Sequence, residues 1–305
     1  MEGSITTIFG GTGFVGDRIA KALVNAGGRV RIAARHPRRP DWSACTQTVE
    51  LFTVDVRSEA NLARAMHAAD AVVNAVGHYV ESRRHGSFED IHVHGAARLA
   101  RVARAAHVGR FVLISGMGSD PASESSYVRA RARGEELTRA AFPGALMARP
   151  SVVYGPGDAF LGALAGVSRL PVVPLFGTGA TRLQPVHVDD VAAAVARLVS
   201  GGGGNRKVFE LGGAGIYSYR EIVVQVLEAL GRKRPLVPVP FAVWRMLAAL
   251  AQVLPNPPLT RDQVLLMQRD NIAGEAFGSF ADLGIQPRAL ADDLAECLAP
   301  ATVPA

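Results

Sequence analysis

The chain has 305 residues, of which 49% are hydrophobic and 20% are charged, and its formal net charge is +6 at pH 7. This balance excludes a disordered chain, and the length is sufficient for one large domain or for a domain with a smaller lobe. No basic stretch is interleaved with aromatic residues, so nucleic acid is not an expected partner, whereas the positive charge suits an anionic membrane surface or an acidic partner.

The first predicted unit is a strand, a glycine-rich turn and a helix. The apolar run Ile5–Phe9 is followed by three glycines at GxxGxxG spacing and then by a helical pattern. Such glycines allow a tight turn, and the start of the helix offers free amides to a pyrophosphate. In this context the pattern predicts a dinucleotide-binding loop, rather than a glycine-rich turn without a ligand. The expected cofactor contacts are Gly10, Thr12, Gly13, Phe14, Val15 and Gly16.

The end of the second predicted strand, in the sequence AARHPRR, indicates which nucleotide binds. It carries Arg35 and no Asp or Glu. A carboxylate at this place would bind the ribose 2′-hydroxyl of NAD and repel a 2′-phosphate, whereas a guanidinium can bind the phosphate. The sequence therefore predicts NADPH with Arg35 as a ligand. Arg38 and Arg39 are better explained as a solvated basic loop.

Four further strands alternate with helices as far as residue 150. The third ends at Asp55 and Val56, which are placed to flank an adenine. The fourth strand is followed by an exit of the small residues Ala75, Val76 and Gly77, and the fifth strand ends at Ser115. Ser87 and Asp90 are spaced to form a capping box for a helix that extends to His107. The alternation predicts an α/β fold, a Rossmann-type doubly wound parallel sheet that binds its ligand at the carboxyl ends of the strands.

The regularity ends near residue 150 and predicts two parts. Residues 1–150 form the expected NADP(H)-binding Rossmann domain, and 151–305 a smaller mixed C-terminal lobe interleaved with the main sheet. A helix that is apolar nearly all round is predicted at 241–254, and it is too short to span a bilayer. It either packs over the lobe or lies on a membrane or a membrane-bound partner, with Trp244 and Arg245 at the interface.

No metal site is predicted. Cys45 and Cys297 lie far apart without metal spacing, as expected for structural thiols in a reducing compartment. Five histidines lie between residues 78 and 107, but no pair has the spacing of a zinc protease.

Several motifs together resemble a known family. GGTGFVG, NAVG, RPSVVYGPGD and QPVHVDDVA are similar to those of extended and atypical short-chain dehydrogenase/reductases. PLTRDQV and DLGI narrow the resemblance, over nearly the whole chain, to the nucleotide-binding accessory subunits of respiratory complex I and their bacterial homologues. The resemblance adds Pro150 and Val153 to the expected cofactor contacts.

The same resemblance implies partners and a location. It implies contact with complex I core subunits near the quinone site and a peripheral contact with the membrane. A bacterial chain would lie at the cytoplasmic face of the inner membrane, and a eukaryotic one at the matrix side of the mitochondrial inner membrane. Because no targeting segment precedes the first apolar run, which starts at Ile5, a bacterial member is favoured.

The resemblance also makes Tyr127 and Arg131 the counterparts of a YxxxK pair. In catalytic relatives the tyrosine transfers a proton, the lysine holds the nicotinamide ribose and lowers the pKa of the tyrosine, and a serine, here Ser115, orients the carbonyl. This chain departs at three places, since Arg131 replaces the lysine, His92 stands where relatives commonly carry asparagine, and Met117 where some carry serine. Arginine is not equivalent to lysine at a positioned site.

Two functions follow from these departures. The first is an accessory or assembly subunit of complex I that keeps NADPH as a mainly structural ligand and has no independent turnover. The second is an active NADPH-dependent reductase of a small carbonyl compound. In the second, Tyr127 donates the proton, Ser115 holds the carbonyl oxygen and Arg131 lowers the tyrosine pKa.

Overall fold

A computed structural model describes residues 3–43, 47–59, 61–81, 86–252, 254, 257 and 259–299. These residues fall into two compact units. Unit 1 takes its residues from 1–150, 188–211 and 274–285, and unit 2 from 151–187, 212–273 and 286–305.

The described elements follow one another in regular alternation through the first half of the chain. The strands are β1 (Ile5–Phe9), β2 (Arg29–Ala34), β3 (Val49–Thr53), β4 (Ala71–Asn74), β5 (Arg110–Ile114), β6 (Leu146–Pro150), β7 (Val153–Tyr154), β8 (Val173–Phe176), β9 (Arg182–Leu183), β10 (Val186–His187), β11 (Val208–Leu211), β12 (Tyr217–Ser218) and β13 (Leu236–Val239). The α-helices are α1 (Phe14–Asn25), α2 (Leu62–Met66), α3 (Ala96–Ala105), α4 (Ser126–Ala141), α5 (Ala159–Val167), α6 (Val188–Val199), α7 (Tyr219–Ala229), α8 (Phe241–Ala251), α9 (Arg261–Leu266) and α10 (Leu290–Leu298). A π-helix, Glu89–Gly95, leads directly into α3, and short 3-10 turns occupy Asp41–Ser43 and Ala281–Leu283.

The centre of unit 1 is a seven-stranded sheet in the order β11-β6-β5-β4-β1-β2-β3. Every pairing in it is parallel. In this register Phe9 pairs with both Ala33 and Asn74, so the ends of β1, β2 and β4 lie side by side. The prediction of a doubly wound parallel α/β fold is therefore confirmed, and the crossover between β1 and β4 marks the place where such sheets bind ligands.

Apolar helix faces cover this sheet. α1 packs against α6, and α3 packs against α2, α4 and the π-helix. The buried residues of α1, such as Ile19 and Leu23, recur at the spacing of one helix face. β4 and β5 are buried almost throughout, because a parallel strand covered on both faces has no solvated side. The continuous apolar runs of these strands in the sequence have this origin.

Unit 2 has a smaller core. Helices α5, α7 and α10 pack together with buried residues that include Leu161, Leu175, Ile222 and Leu290. Its strands form three pairs, β7 with β10, β8 with β13, and β9 with β12. Among the residues that the structure describes, no helix combines the length and the apolar character needed to cross a membrane.

Helix α8 differs from the expectation in the orientation of one side chain. Trp244 Nε1 donates a hydrogen bond to the carbonyl oxygen of Leu175 at 3.0 Å, and the indole lies 4.4 Å from the Phe176 ring. Trp244 therefore anchors the helix to β8 of its own unit, as the alternative of a helix packed over the lobe requires, whereas Arg245 is exposed. The predicted helix extended to Leu254, but α8 ends at Ala251.

Candidate functional site

The loop between β1 and α1 depends on glycines that no side chain can replace. Gly10 has a φ of 80°, and a Cβ there would lie 2.8 Å from the carbonyl carbon and oxygen of Ala75. A Cβ on Gly16 would lie 2.2 Å from the carbonyl oxygen of Gly10. Because real Cβ atoms do not approach so closely, backbone packs directly on backbone here. The loop is closed by a hydrogen bond of 3.0 Å from the Gly13 amide to the Gly10 carbonyl.

Helix α1 begins without a side-chain cap. Its N-cap is Gly13, which has no side chain to accept a hydrogen bond from the first-turn amides. Thr12 and Gly13 are exposed, and Phe14 and Val15 are half-buried. Unpaired amides at the start of a twelve-residue helix, together with its partial positive charge, are what a pyrophosphate needs. The cradle fits the phosphates of a dinucleotide.

Arg35 and Asp55 follow neighbouring strands, β2 and β3. Hydrogen bonding from Arg57 lowers the pKa of Asp55, and the charge of Arg35 adds to this effect, so Arg35 lies near the same strand end. The carboxylate of Asp55 is paired with Arg57 at 2.6 Å. Val56 is 7% exposed and belongs to the apolar core, so it offers little surface to an adenine. Of the two residues expected to flank that base, only Asp55 lies partly at the surface.

The two other arginines of this loop differ in their surroundings. Arg38 is exposed, as expected for a solvated basic loop. Arg39 donates from Nη2 to the carbonyl oxygen of Val49 at 3.0 Å, so it fastens the loop to β3.

The exit from β4 passes close to the glycine loop. The Ala75 carbonyl lies against Gly10, and the Val76 amide donates to the buried Asn74 side chain at 3.1 Å. A Cβ on Gly77 would lie 3.1 Å from the His92 ring and 3.8 Å from Nη2 of Arg131. This exit therefore joins the glycine loop to the surroundings of α4.

Tyr127 lies in the first turn of α4 and is almost completely buried. Ser125 caps the helix by accepting a hydrogen bond from the Val128 amide at 3.3 Å. The Tyr127 ring is 5.1 Å from that of Tyr79 and 5.3 Å from that of Phe88. Burial raises the pKa of Tyr127 well above 10, and the positive charge of Arg131 only partly opposes this effect. The phenol is therefore held in its protonated form.

Arg131 lies on the same face of α4, as the spacing of four predicts. Its guanidinium carbon is 4.8 Å from the centre of the Tyr127 ring, a cation–π arrangement. Nη1 would be 3.2 Å from a Cβ on Gly116, so the absence of a side chain at that position makes room for the guanidinium. Nε and Nη1 are buried and have no hydrogen-bond partner among the described residues. These two donors could bind an oxygen of a ligand, which buried donors require.

His92 belongs to the π-helix that packs against α4. Its ring is 5.5 Å from that of Tyr127, and Nε2 lies 3.0 Å from the carbonyl oxygen of His78. Burial lowers the pKa of His92 to about 3, and the charge of Arg131 acts in the same direction. The imidazole is therefore neutral at physiological pH.

A pair of serines follows β5. Ser115 is 4% exposed, and its Oγ lies 3.2 Å from Oγ of Ser119, which in turn donates to the carbonyl oxygen of Gly116 at 2.9 Å. Met117 is buried, and its amide donates to the carbonyl of Pro150, the last residue of β6, at 3.1 Å. Val153 is half-buried at the start of β7 in unit 2 and pairs with Val186.

Sequence reasoning missed three side chains that surround the predicted site residues. Tyr79 and Phe88 cover Tyr127, and Ser119 contacts Ser115. Tyr79 and Phe88 belong to a region without periodicity, so no sequence pattern indicated that they would cover Tyr127. Ser119, four residues after Ser115, was visible in the sequence but carried no signal of its own.

The described residues contain no group of three or more His, Cys, Asp or Glu that could hold a metal ion. Cys297 is buried in unit 2, and burial raises the pKa of its thiol to about 11. Cys45 lies outside the described residues.

One family model and several known proteins match this chain in sequence, and three of those proteins bear on its role. Residues 6–212 match the model of the NAD dependent epimerase/dehydratase family. The chain is 31% identical to NADH dehydrogenase (ubiquinone) 1 alpha subcomplex subunit 9, mitochondrial, of Arabidopsis thaliana, over 95% of this chain and 76% of that protein. It is 30% identical to the NADH-ubiquinone oxidoreductase 40 kDa subunit, mitochondrial, of Neurospora crassa, over 96% and 78%. A shorter match, with 35% identity over 191 residues, covers 62% of this chain and 59% of the ceramide reductase of Caulobacter vibrioides.

Solved structures with a similar fold contain nicotinamide dinucleotides. The NADPH-dependent quinone oxidoreductase of Escherichia coli, complexed with NADPH, has a TM-score of 0.75 at 17% identity, over 95% of this chain and 99% of that one. The dTDP-glucose 4,6-dehydratase of Streptomyces venezuelae, with NAD bound, has a TM-score of 0.70 at 20% identity, over 96% and 95%. At these identities the likeness concerns the fold alone.

Proposed function

We propose, from the premise that this chain belongs to the NAD dependent epimerase/dehydratase family, that it is a nucleotide-holding accessory subunit of a respiratory NADH dehydrogenase, complex I. In this role the chain keeps a nicotinamide dinucleotide bound as part of its structure. It associates with the core subunits near the quinone site, at the cytoplasmic face of the bacterial inner membrane or at the matrix side of the mitochondrial one.

Similarity along the whole chain carries this proposal. The two relatives named as subunits of this enzyme match 95% and 96% of the chain, whereas the family model stops at residue 212. A dinucleotide-binding fold supports many unrelated functions, so a match confined to that part would say little about the role. The similarity beyond residue 212 is what favours the accessory subunits over other members of the family.

The residues around the carboxyl ends of the strands would hold the dinucleotide. The amides at the start of α1 would bind the pyrophosphate. The close backbone contacts at Gly10 and Gly16 hold the loop in the tight turn that leaves these amides accessible to it. Ala75, Val76 and Gly77 would line the path toward α4. When bound, the nicotinamide ring can donate or accept a hydride. The accessory role requires only that the dinucleotide stays bound.

NADPH is the form that this chain would hold. Arg35 directly follows β2, where an acidic residue would select NAD, and its charge is close enough to Asp55 to affect the pKa of that carboxyl. A guanidinium at this strand end attracts a 2′-phosphate through charge-assisted hydrogen bonds.

The surroundings of Tyr127 favour binding over turnover. A proton donor works best when its pKa lies near the operating pH, but burial raises the pKa of Tyr127 well above 10. Tyr79 and Phe88 also cover the ring. The buried donors of Arg131 would bind a ribose or phosphate oxygen and so hold the cofactor in place.

The test is the composition of the native enzyme. Membranes are solubilised in mild detergent, complex I is isolated intact, and the amount of this chain relative to the core subunits is measured by mass spectrometry. The proposal expects near-equal amounts. It also expects the Tyr127→Phe chain to assemble as the native chain does, because no proton transfer is needed. A chain that is absent from the intact enzyme contradicts the accessory role.

The match to ceramide reductase favours a second candidate, an NADPH-dependent reductase of a carbonyl compound. That match has the highest identity of the three, although it covers 62% of the chain. In this role Tyr127 donates the proton and Ser115 orients the carbonyl oxygen. The test of this candidate is an assay of NADPH oxidation in the presence of carbonyl compounds, including lipids. The native chain, Tyr127→Phe and Arg131→Lys are compared. The second candidate requires turnover that Tyr127→Phe abolishes, and it fails if neither the native chain nor Arg131→Lys turns over.

A further inference from the structure

We propose that unit 2 binds directly to the anionic surface of a lipid bilayer through the outer face of α8 and the basic residues beside it. This α8 surface consists of exposed residues on α8 and at the start of β8 and β13, namely Leu170, Val172, Lys233, Arg234, Arg245, Met246, Leu247 and Leu250. The inference deepens the proposed function, which places the chain at a membrane, but its test does not depend on complex I.

Helix α8 is apolar on both of its faces. Phe241, Trp244 and Ala248 face inward, and Ala248 is fully buried. On the outer face Met246 is 57% exposed and Leu250 is 65% exposed. A surface helix of a soluble protein normally turns charged and polar residues outward. The outer face of α8 instead offers apolar side chains, with Arg245 as its only charged residue.

The helix folds back along β8, and it also packs against α9. A Cβ on Gly177, just after β8, would lie 2.7 Å from the Phe241 ring at the start of the helix. One turn later Trp244 bonds to Leu175, which is two residues earlier in β8. The first turns of the helix thus run opposite to β8, toward the end at which β8 and β13 begin.

Basic and apolar side chains meet at that end of the strands. β8 and β13 begin together, because Val173 pairs with Leu236 and its amide donates to the Pro235 carbonyl at 2.9 Å. Lys233 and Arg234 directly precede this point on one strand, and Leu170 and Val172 on the other. All four side chains are exposed.

The segment that carries α8 contains basic residues only, and the first acidic residue after it is Asp262 of α9, the helix that packs against α8. From residue 229 to 261 the sequence contains five basic residues and no Asp or Glu. Arg232 is held inside the unit through hydrogen bonds to Ala165 and Ser168, but Lys233, Arg234 and Arg245 are exposed. Basic residues beside an apolar helix face are attracted by anionic phospholipids, while the apolar side chains enter the headgroup boundary.

The residue types favour a lipid over a protein as the occupant. Protein interfaces depend on exposed Trp, Tyr and Arg anchors, whereas Leu and Val are under-represented among them. Both aromatic residues of α8 are turned toward their own unit, and the exposed apolar residues are aliphatic or methionine. Such a surface has bulk apolar character and two arginines, but it has no exposed aromatic anchor of the kind that a protein groove receives.

Vesicle binding by the purified full-length chain tests the proposal. The vesicles contain either phosphatidylcholine alone or phosphatidylcholine mixed with phosphatidylglycerol. Leu247→Gln/Leu250→Gln removes the apolar contact, and Lys233→Gln/Arg234→Gln removes the charge. The matched controls are Val224→Gln, at an exposed position of α7, and Arg139→Gln/Arg197→Gln, at exposed positions of unit 1.

The native chain should bind the mixed vesicles, and added salt should weaken that binding because it screens the charges. Each α8-surface pair of substitutions should lower the partition coefficient about tenfold, whereas the controls should leave it unchanged.

Vesicle binding that the Leu247/Leu250 pair of substitutions does not weaken would overturn the inference. A native chain that does not bind the mixed vesicles would also overturn it. Loss of self-association or of complex I assembly in the same variant would then identify a second copy or a protein as the occupant. Vesicle binding by a chain absent from complex I would leave this inference standing and contradict the accessory role.

Discussion

His92 is a buried, neutral imidazole in contact with the ring of Tyr127. Its contribution to the free energy of unfolding should therefore depend on pH. Its pKa falls from 6.5 to about 3, mainly because burial disfavours the charged form. In the unfolded chain the imidazole takes up a proton below about pH 6.5 and the folded chain does not. The stabilisation is therefore present above pH 6.5 and is lost as the pH falls toward 3, at about 1.4 kcal/mol per pH unit.

His92→Asn should abolish that part of the acid slope, since an amide does not titrate. Urea unfolding of both chains between pH 7 and pH 4 measures it. His94→Asn, two residues away at an exposed position, is the matched control and should keep the native slope. Equal slopes in the native chain and in His92→Asn would show that His92 is not held neutral by the fold.

The residues of the candidate site were predictable to different extents. Spacing of four places Tyr127 and Arg131 on one helix face, and the guanidinium does lie over the ring. The high pKa of Tyr127 was not predictable, because it results from Tyr79 and Phe88, which approach from outside α4. The burial of Val56 was not predictable for the same reason, since a sequence pattern shows where a strand ends but not which side chains then turn into the core.

At the scale of elements, the junction of β1 and α1 depends on direct contact between backbones. Gly16→Ala would place a Cβ 2.2 Å from the Gly10 carbonyl oxygen, so the loop or the helix must move. We expect a loss of about 1–3 kcal/mol in the free energy of unfolding, typical of overpacking, together with weaker dinucleotide binding. Chemical unfolding and a fluorescence titration with NADPH measure the two effects.

A second helical glycine provides the control. Gly162 lies in α5, and a Cβ there would meet no heavy atom within 4 Å. Gly162→Ala should therefore raise the free energy of unfolding by about 0.5–1 kcal/mol, because alanine loses less backbone entropy in a helix. A Gly16→Ala chain as stable as the Gly162→Ala chain would show that the contact at Gly16 does not restrict that position.

Elements were predicted best where burial imposes a period. The strands of unit 1 follow their apolar runs, and β4 ends at Asn74, so that Ala75, Val76 and Gly77 form its exit. The capping box of Ser87 and Asp90 forms as predicted, with hydrogen bonds in both directions. The predicted single helix that follows is a π-helix, Glu89–Gly95, continued by α3. The π-helix packs closely on α4, since a Cβ on Gly134 of α4 would lie 1.9 Å from the His92 carbonyl oxygen, and this tertiary contact has no sequence signal.

At the scale of the whole molecule, a buried ion network joins α4 to the far strands of the sheet in unit 1. Arg149 of β6 bonds Glu135 of α4 at 2.7 and 2.9 Å and Glu210 of β11 at 3.4 Å. Glu210 also accepts from the Gly274 amide at 2.9 Å. The network thus connects the helix that carries Tyr127 with segments more than sixty residues later.

Arg149→Met should cost about 3–5 kcal/mol, because it leaves two buried carboxylates without their counter-charge. Thermal and chemical unfolding measure the loss. Adding Glu135→Gln and Glu210→Gln to the same chain should recover part of it, since the unpaired charges are then gone. A single variant as stable as the native chain would mean that water reaches these carboxylates.

Cofactor binding should also appear as stability, because a ligand that binds only the folded chain raises its free energy of unfolding by mass action. NADPH at about one hundred times its dissociation constant should contribute about 2.7 kcal/mol. NADH at the same concentration should contribute less, since it lacks the phosphate that Arg35 would bind.

Arg35→Asp should reduce the stabilisation by NADPH, at a cost of about 1.5–3 kcal/mol in binding, and should leave the stabilisation by NADH intact or increase it. Arg38→Asp, in the same exposed loop, removes an equal charge and should change the NADPH effect much less. Thermal shifts of the three chains with each nucleotide measure the preference. Equal stabilisation by NADPH and NADH in the native chain would contradict selection at Arg35, while stabilisation by neither nucleotide would contradict a held cofactor altogether.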